Sequence, residues 1–194
     1  MPNTAGHAGA GAAQWQVPEP LAAAEARLAD GASIVLRRHG NPDGPRLVVS
    51  HGNGLAADSY YPFWSLLAGR FDLILYDFRN HGWNPVGDRG AHNIPTFVAD
   101  NDAVVRAIDA HFGDKPKTGV FHSMSALTAF LQVQKTGGFT AIVLFDLPIC
   151  PPGGTVADLV AIGRRIGVAA RMRPDRFDSP EDFADSLRLS PYYE

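Results

Sequence analysis

Residues 118–130, TGVFHSMSALTAF, place one serine, Ser123, where an apolar, strand-like run gives way to a helix-like one. A hydroxyl after a buried strand and just before a helix stands at the edge of a sheet. There the amide of the next residue and the helix N-terminus can stabilise an oxyanion. Two other stretches have comparable potential. In SHGNGLAADSY (50–60) the glycines let the backbone approach a ligand closely and leave amides free to face a developing negative charge. The same glycines would also suit a turn built only for its backbone angles. In YDFRNHGWNP (76–85) Asp77 and Asn80 can shape a turn, and Arg79 can pair with Asp77 or a neighbouring carboxylate. His81 reads as a structural hydrogen-bonding group rather than a base.

These residues need a frame to bring them together, and the apolar patterning supplies one. Residues 33–38 and 46–51 are short apolar runs separated by HGNPDGP, whose turn signals predict an antiparallel hairpin. Residues 57–69 read as helix and 71–77 as a buried strand. From Ile94 to Phe112 the apolar residues recur at one-face helical spacing, with Pro95 in the first turn. Residues 118–122 are strand-like, 125–135 helix-like and 140–146 strand-like. Buried strands alternating with amphipathic helices predict an α/β fold, a mainly parallel twisted sheet with helices on both faces. All three polar stretches then fall at strand ends, where such sheets build their sites. After residue 150 two helices are expected, 155–170 and 180–189, the second capped by Ser179 with Pro180, Glu181 and Asp182 in its first turn. Residues 1–17, rich in Gly and Ala, read as a mobile tail. The expected organisation is thus a tail (1–17), a core (18–150) and a smaller helical segment (151–194).

The chain of 194 residues is 45% hydrophobic and 19% charged, which is the balance of a globular protein with its own core. A net charge of −3 without a basic patch argues against nucleic acid or an anionic membrane as partner. The N-terminus lacks the pattern of a secretory signal, and no stretch reaches membrane-spanning length, so a cytoplasmic location is expected. One cysteine, Cys150, makes no intramolecular bridge and reads as a small hydrophobe. No metal-ligand cluster or cofactor motif stands out.

In this order, HGNG (51–54), DFRNHG (77–82) and FHSMSA (121–126) resemble the oxyanion loop, the next strand-end turn and the nucleophile elbow of the α/β-hydrolase superfamily. The resemblance covers about residues 30–150, and 155–194 resembles the start of the helical cap of that family. It implies a serine hydrolase acting on a carboxylic ester or related acyl bond of a small molecule. Ser123 would attack, and the backbone N–H groups of Asn53 and Met124 would form the oxyanion hole. His122 would point away from the nucleophile. Phe121 and Ser125 stand where the usual elbow has glycine, so Phe121 must find room beside the sheet. In the family the acid and histidine follow the nucleophile, yet no histidine follows His122. The chain therefore reads as the N-terminal portion of a longer hydrolase, incomplete at the C-terminal end of its sheet. Asp146, at the end of the strand after the elbow helix, is a minor candidate for the acid, and Trp83 a candidate for lining the pocket. None of His51, His81, His92 and His111 reads as the base. The competing reading is a non-enzymatic binding protein that keeps the fold. A phosphate-binding loop is disfavoured, since HGNGLAADS lacks both the Lys-Ser/Thr ending of a P-loop and the third glycine of a dinucleotide fingerprint.

Overall fold

A computed structural model describes residues 16–150, 152–171 and 176–188. Most of the expected tail, residues 1–15, lies outside the described residues. Six strands form one sheet: β1 (Ala22–Arg27), β2 (Ser33–Gly40), β3 (Arg46–Ser50), β4 (Asp72–Tyr76), β5 (Lys117–His122) and β6 (Ala141–Phe145). Their order is β1-β2-β4-β3-β5-β6. β3 runs parallel to β4 and β5, and β5 to β6, while β1 pairs β2 and β2 pairs β4 antiparallel.

The expected hairpin is absent. The turn itself forms, with the Gly44 amide donating to the Asn41 carbonyl at 3.0 Å, but β4 inserts between β2 and β3. All five residues of β4 are buried, and a strand buried on both faces belongs in the middle of a sheet. Asp72 at its start ties both neighbours: its carboxylate accepts from Arg38 of β2 at 2.7 Å and from Arg46 of β3 at 2.9 Å. Burial alone raises the Asp72 pKa, but the bonds from Arg38 and Arg46 more than reverse this and hold it below the usual value. A turn signal specifies that the chain reverses, not which strand ends up alongside. β1, an alanine-rich edge strand, was likewise invisible to apolar patterning.

The strand alternation separates two cores. Leu36, Val48, Ile74, Tyr76 and Phe121 pack with Val104, Ile108, Ala126 and Ala129 of the helices α2 (Ile94–Phe112) and α3 (Met124–Thr136). Val49, Leu73, Leu75 and Val120 face the other way, toward Ala57 and Trp64. The 57–69 segment there is a 3-10 turn over Ala57–Tyr60 followed by one short helix, α1 (Tyr61–Trp64), rather than a continuous helix. α2 starts where Asn93 caps it, its side chain accepting from the Thr96 amide at 3.0 Å, and ends at Gly113 with φ 82°. In its inner face Asp100 grips Arg79 through two bonds of 2.6 Å.

The described residues up to 148 form one compact unit and those from 149 onward another. Within the second, α4 (Val156–Arg171) and α5 (Pro180–Arg188) match the expected helices. Ser179 caps α5, its hydroxyl accepting from the Asp182 amide at 3.0 Å. No helix among the described residues is long and apolar enough to cross a membrane.

Candidate active site

β5 ends at His122 and α3 starts at Met124, so Ser123 makes the whole strand-to-helix turn by itself. It does so with φ 53° and ψ −113°, a conformation that residues with a Cβ rarely adopt. The backbone around it is secured: the Ser123 amide donates to the Phe145 carbonyl at 2.8 Å, and the Ser123 carbonyl accepts from Leu127 at 3.0 Å. Its hydroxyl, in contrast, bonds no described residue.

The two residues that replace glycine each have a local solution. Ser125 is fully buried, and its hydroxyl accepts from the His122 amide and donates to the His122 carbonyl, both at 3.0 Å. It staples the turn that a second glycine would merely permit. The Phe121 ring turns into the core, edge-on to Phe139 at 5.5 Å and Tyr76 at 6.5 Å. The space it fills is left open by Gly119, two residues earlier on the same face of β5, where an added Cβ would collide with that ring.

The loop after β3 packs on this turn. An added Cβ at Gly52 would lie 2.8 Å from His122 Nδ1 and 3.4 Å from the Ser123 Cβ, so only glycine allows the approach. Tyr60 links the two segments: its hydroxyl accepts from the Gly52 amide at 3.1 Å and sits 2.6 Å from His122 Nδ1. His122 is thus engaged by Tyr60 and makes no bond to Ser123. Burial raises the Tyr60 pKa, which keeps the phenol protonated. The Asn53 and Met124 amides, expected to form the oxyanion hole, donate to no described residue.

His51 is fully buried. Its Nε2 accepts from the Phe78 amide at 3.1 Å and its Nδ1 lies 2.8 Å from the Gly52 carbonyl. An amide can only donate and a carbonyl only accept, so the proton sits on Nδ1 and the ring is neutral. Desolvation agrees, pushing its pKa down. The Asp77 carboxylate 3.4 Å from Nε2 is therefore no ion-pair partner. Asp77 instead accepts from Arg37 at 2.9 Å and from the Ala57 amide at 2.7 Å, while Arg79 turns to Asp100 and Asp30.

Asp146 follows β6 with φ 49°, exposed, its side chain bonded to no described residue. Trp83 lies over Arg37, 4.7 Å from guanidinium to ring centre, and its indole N–H donates to Asp58 at 2.9 Å. It is not among the residues lining the cavity of about 200 Å3 beside His122, which include Val49, Tyr60, Phe63, Val120 and Phe145. His92 bonds the Asn53 side chain, and His111 stands at the end of α2. No described histidine bonds Ser123. The residue that sequence reasoning missed is Tyr60, inside a segment read as plain helix; its only signal was a tyrosine eight residues after a His-Gly pair. Among the described residues no group of three His, Cys, Asp or Glu is placed to hold a metal.

Comparison with known proteins bears on this geometry. The thioesterase domain from the curacin biosynthetic pathway is similar in fold, with a TM-score of 0.63 at 22% identity over 86% of this chain and 61% of that one. An esterase, RhEst1, from Rhodococcus sp. ECU1013 is 26% identical, with a TM-score of 0.54 over 64% of this chain and 45% of that one. A protein of Mycobacterium tuberculosis named probable oxidoreductase EphD is 38% identical over 80 residues, 39% of this chain and 13% of its own length. The chain thus spans only part of each of these relatives. The model of the alpha/beta hydrolase family matches residues 47–193, from β3 onward. By that match, which takes in every strand-end motif described above, the chain belongs to the alpha/beta hydrolase family.

Proposed function

We propose that the protein is a serine hydrolase acting on a carboxylic ester or related acyl bond of a small molecule, with Ser123 as nucleophile and the Asn53 and Met124 amides as oxyanion donors. The observation that carries this reading is Ser123 itself. It occupies a strained turn at φ 53° with its hydroxyl bonded to no described residue, beside a loop whose Asn53 amide donates to no described residue. Strain of this kind persists where the surroundings over-determine it, and it is concentrated at functional sites. The 194 residues supply the nucleophile and the oxyanion hole. The general base and its acid belong, in this proposal, to a part of the hydrolase architecture outside these residues, and residues 151–194 begin its helical cap. The alternative within this chain is Asp146, the minor candidate for the acid, which stands at the end of β6 bonded to no described residue.

A fluorophosphonate tests the assignment. Attack by the Ser123 oxygen forms the O–P bond, the P–F bond breaks, and fluoride and the serine proton leave. Without a base the reaction should be slow, since oxyanion effects and binding alone retain roughly 10^3–10^4-fold over water. The adduct should map to Ser123 by peptide mass and vanish in Ser123→Ala. A folded chain that takes no label at Ser123 over hours at millimolar reagent would favour the non-enzymatic binding protein instead.

A further inference from the structure

The loop 51–54 belongs to no helix or strand and holds two glycines; it is buried at His51 and Gly52 and exposed at Asn53 and Gly54, and hydrogen bonds tie it down on both sides of Asn53. Gly52 donates to Tyr60, and the Gly52 carbonyl accepts from His51. The Asn53 side chain lies 2.9 Å from His92 Nε2, and the Gly54 amide donates to His81 Nε2 at 3.2 Å. His81 Nδ1 lies 2.9 Å from the Arg79 carbonyl, so its proton is there and Nε2 is left as acceptor. The three rings stand in a row, His51 to His81 and His81 to His92 both at 5.2 Å between centres. This row holds the loop on both sides of Asn53, whose own amide donates to no described residue.

We propose that His81, assisted by His92, is a positioning residue of the oxyanion hole: by holding Gly54 in the Nδ1–H tautomer it keeps the Asn53 amide aimed at the Ser123 reaction centre. The inference rests on Ser123 being the nucleophile. It assigns to the histidine of DFRNHG a task that touches no substrate. A ring of the other tautomer presents N–H to N–H and cannot hold Gly54 at all.

The test uses the 194-residue chain with His81→Gln, which keeps an acceptor near the Nε2 place, His81→Leu, which does not, and the exposed His92→Ala. Histidine 15N spectra of the unmodified chain should show His81 protonated on Nδ1. Gly54 amide exchange should be at least tenfold faster in His81→Leu and within threefold of the parent in His81→Gln. Phosphonylation of Ser123 should fall in the same order, about tenfold for His81→Leu and severalfold for His92→Ala. An Nε2–H tautomer, unchanged Gly54 exchange in His81→Leu, or equal losses in the Gln and Leu variants would overturn the proposal. If the parent chain takes no label at Ser123, the nucleophile assignment fails. The tautomer and exchange results then decide by themselves whether His81 clamps the loop.

Discussion

Replacing Ser123 by glycine should stabilise the protein relative to replacing it by alanine, the reverse of what the two residues do almost everywhere else. At φ 53° and ψ −113° any residue with a Cβ carries strain on the order of 1–3 kcal/mol. Alanine keeps that strain and loses only the hydroxyl, which bonds no described residue. Glycine removes the strain but adds about 0.5–1 kcal/mol of unfolded-chain entropy. The net expectation is a glycine variant about 1 kcal/mol more stable than the alanine variant. With a urea m-value of about 2 kcal/mol/M, this moves the midpoint by about 0.5 M. Equilibrium unfolding followed by tryptophan fluorescence reads it, since Trp64 is buried against the sheet. Lys135, exposed in α3, provides the control: there glycine should be about 1 kcal/mol less stable than alanine. If Ser123→Gly is also the less stable of its pair, the turn is not strained and the geometric case for a nucleophile elbow collapses.

Three further outcomes follow from the same structure. Gly119→Ala should cost about 2 kcal/mol by driving a methyl into the Phe121 ring, and the loss should shrink in the Gly119→Ala/Phe121→Leu double variant; additive losses would contradict the packing account. Asp72→Asn should cost about 3–5 kcal/mol in chemical denaturation, because the fully buried side chain of Arg46 is left without its counter-charge. His39, buried on Trp64, has its pKa lowered to about 4, first by desolvation and then by Arg37. The fold therefore favours the neutral ring, a contribution complete above about pH 6.5 and lost as the pH falls toward 4. It amounts to about 3 kcal/mol, and His39→Leu should flatten that part of the stability-against-pH curve.

Much of this architecture could be read from residue order because its determinants are local. The apolar period of 94–112, the β-branched, apolar run of 140–146 and the Ser179 cap each act within a few residues of where they stand. What could not be read is decided across the sheet. The turn after His39 says nothing about β4 entering between β2 and β3, which depends on Asp72 meeting two arginines from different strands. The turn at Ser123 shows the same division. Ser123 stands out by its context, whereas the room for Phe121 comes from Gly119 and the second glycine's place is taken by the Ser125 staple, both visible only once the side chains have directions. The histidines are the extreme case: His51, His81 and His92 are spread over 42 positions of sequence, and nothing in their spacing predicts three rings in a row beside one loop.

The central claim is that Ser123 attacks beneath an oxyanion hole made by Asn53 and Met124. The structure of the Ser123–phosphonate adduct tests it most directly. The phosphoryl oxygen should lie about 2.7–3.1 Å from both amide nitrogens; an adduct whose oxygen turns to solvent or to Tyr60, with either amide out of reach, would contradict the account.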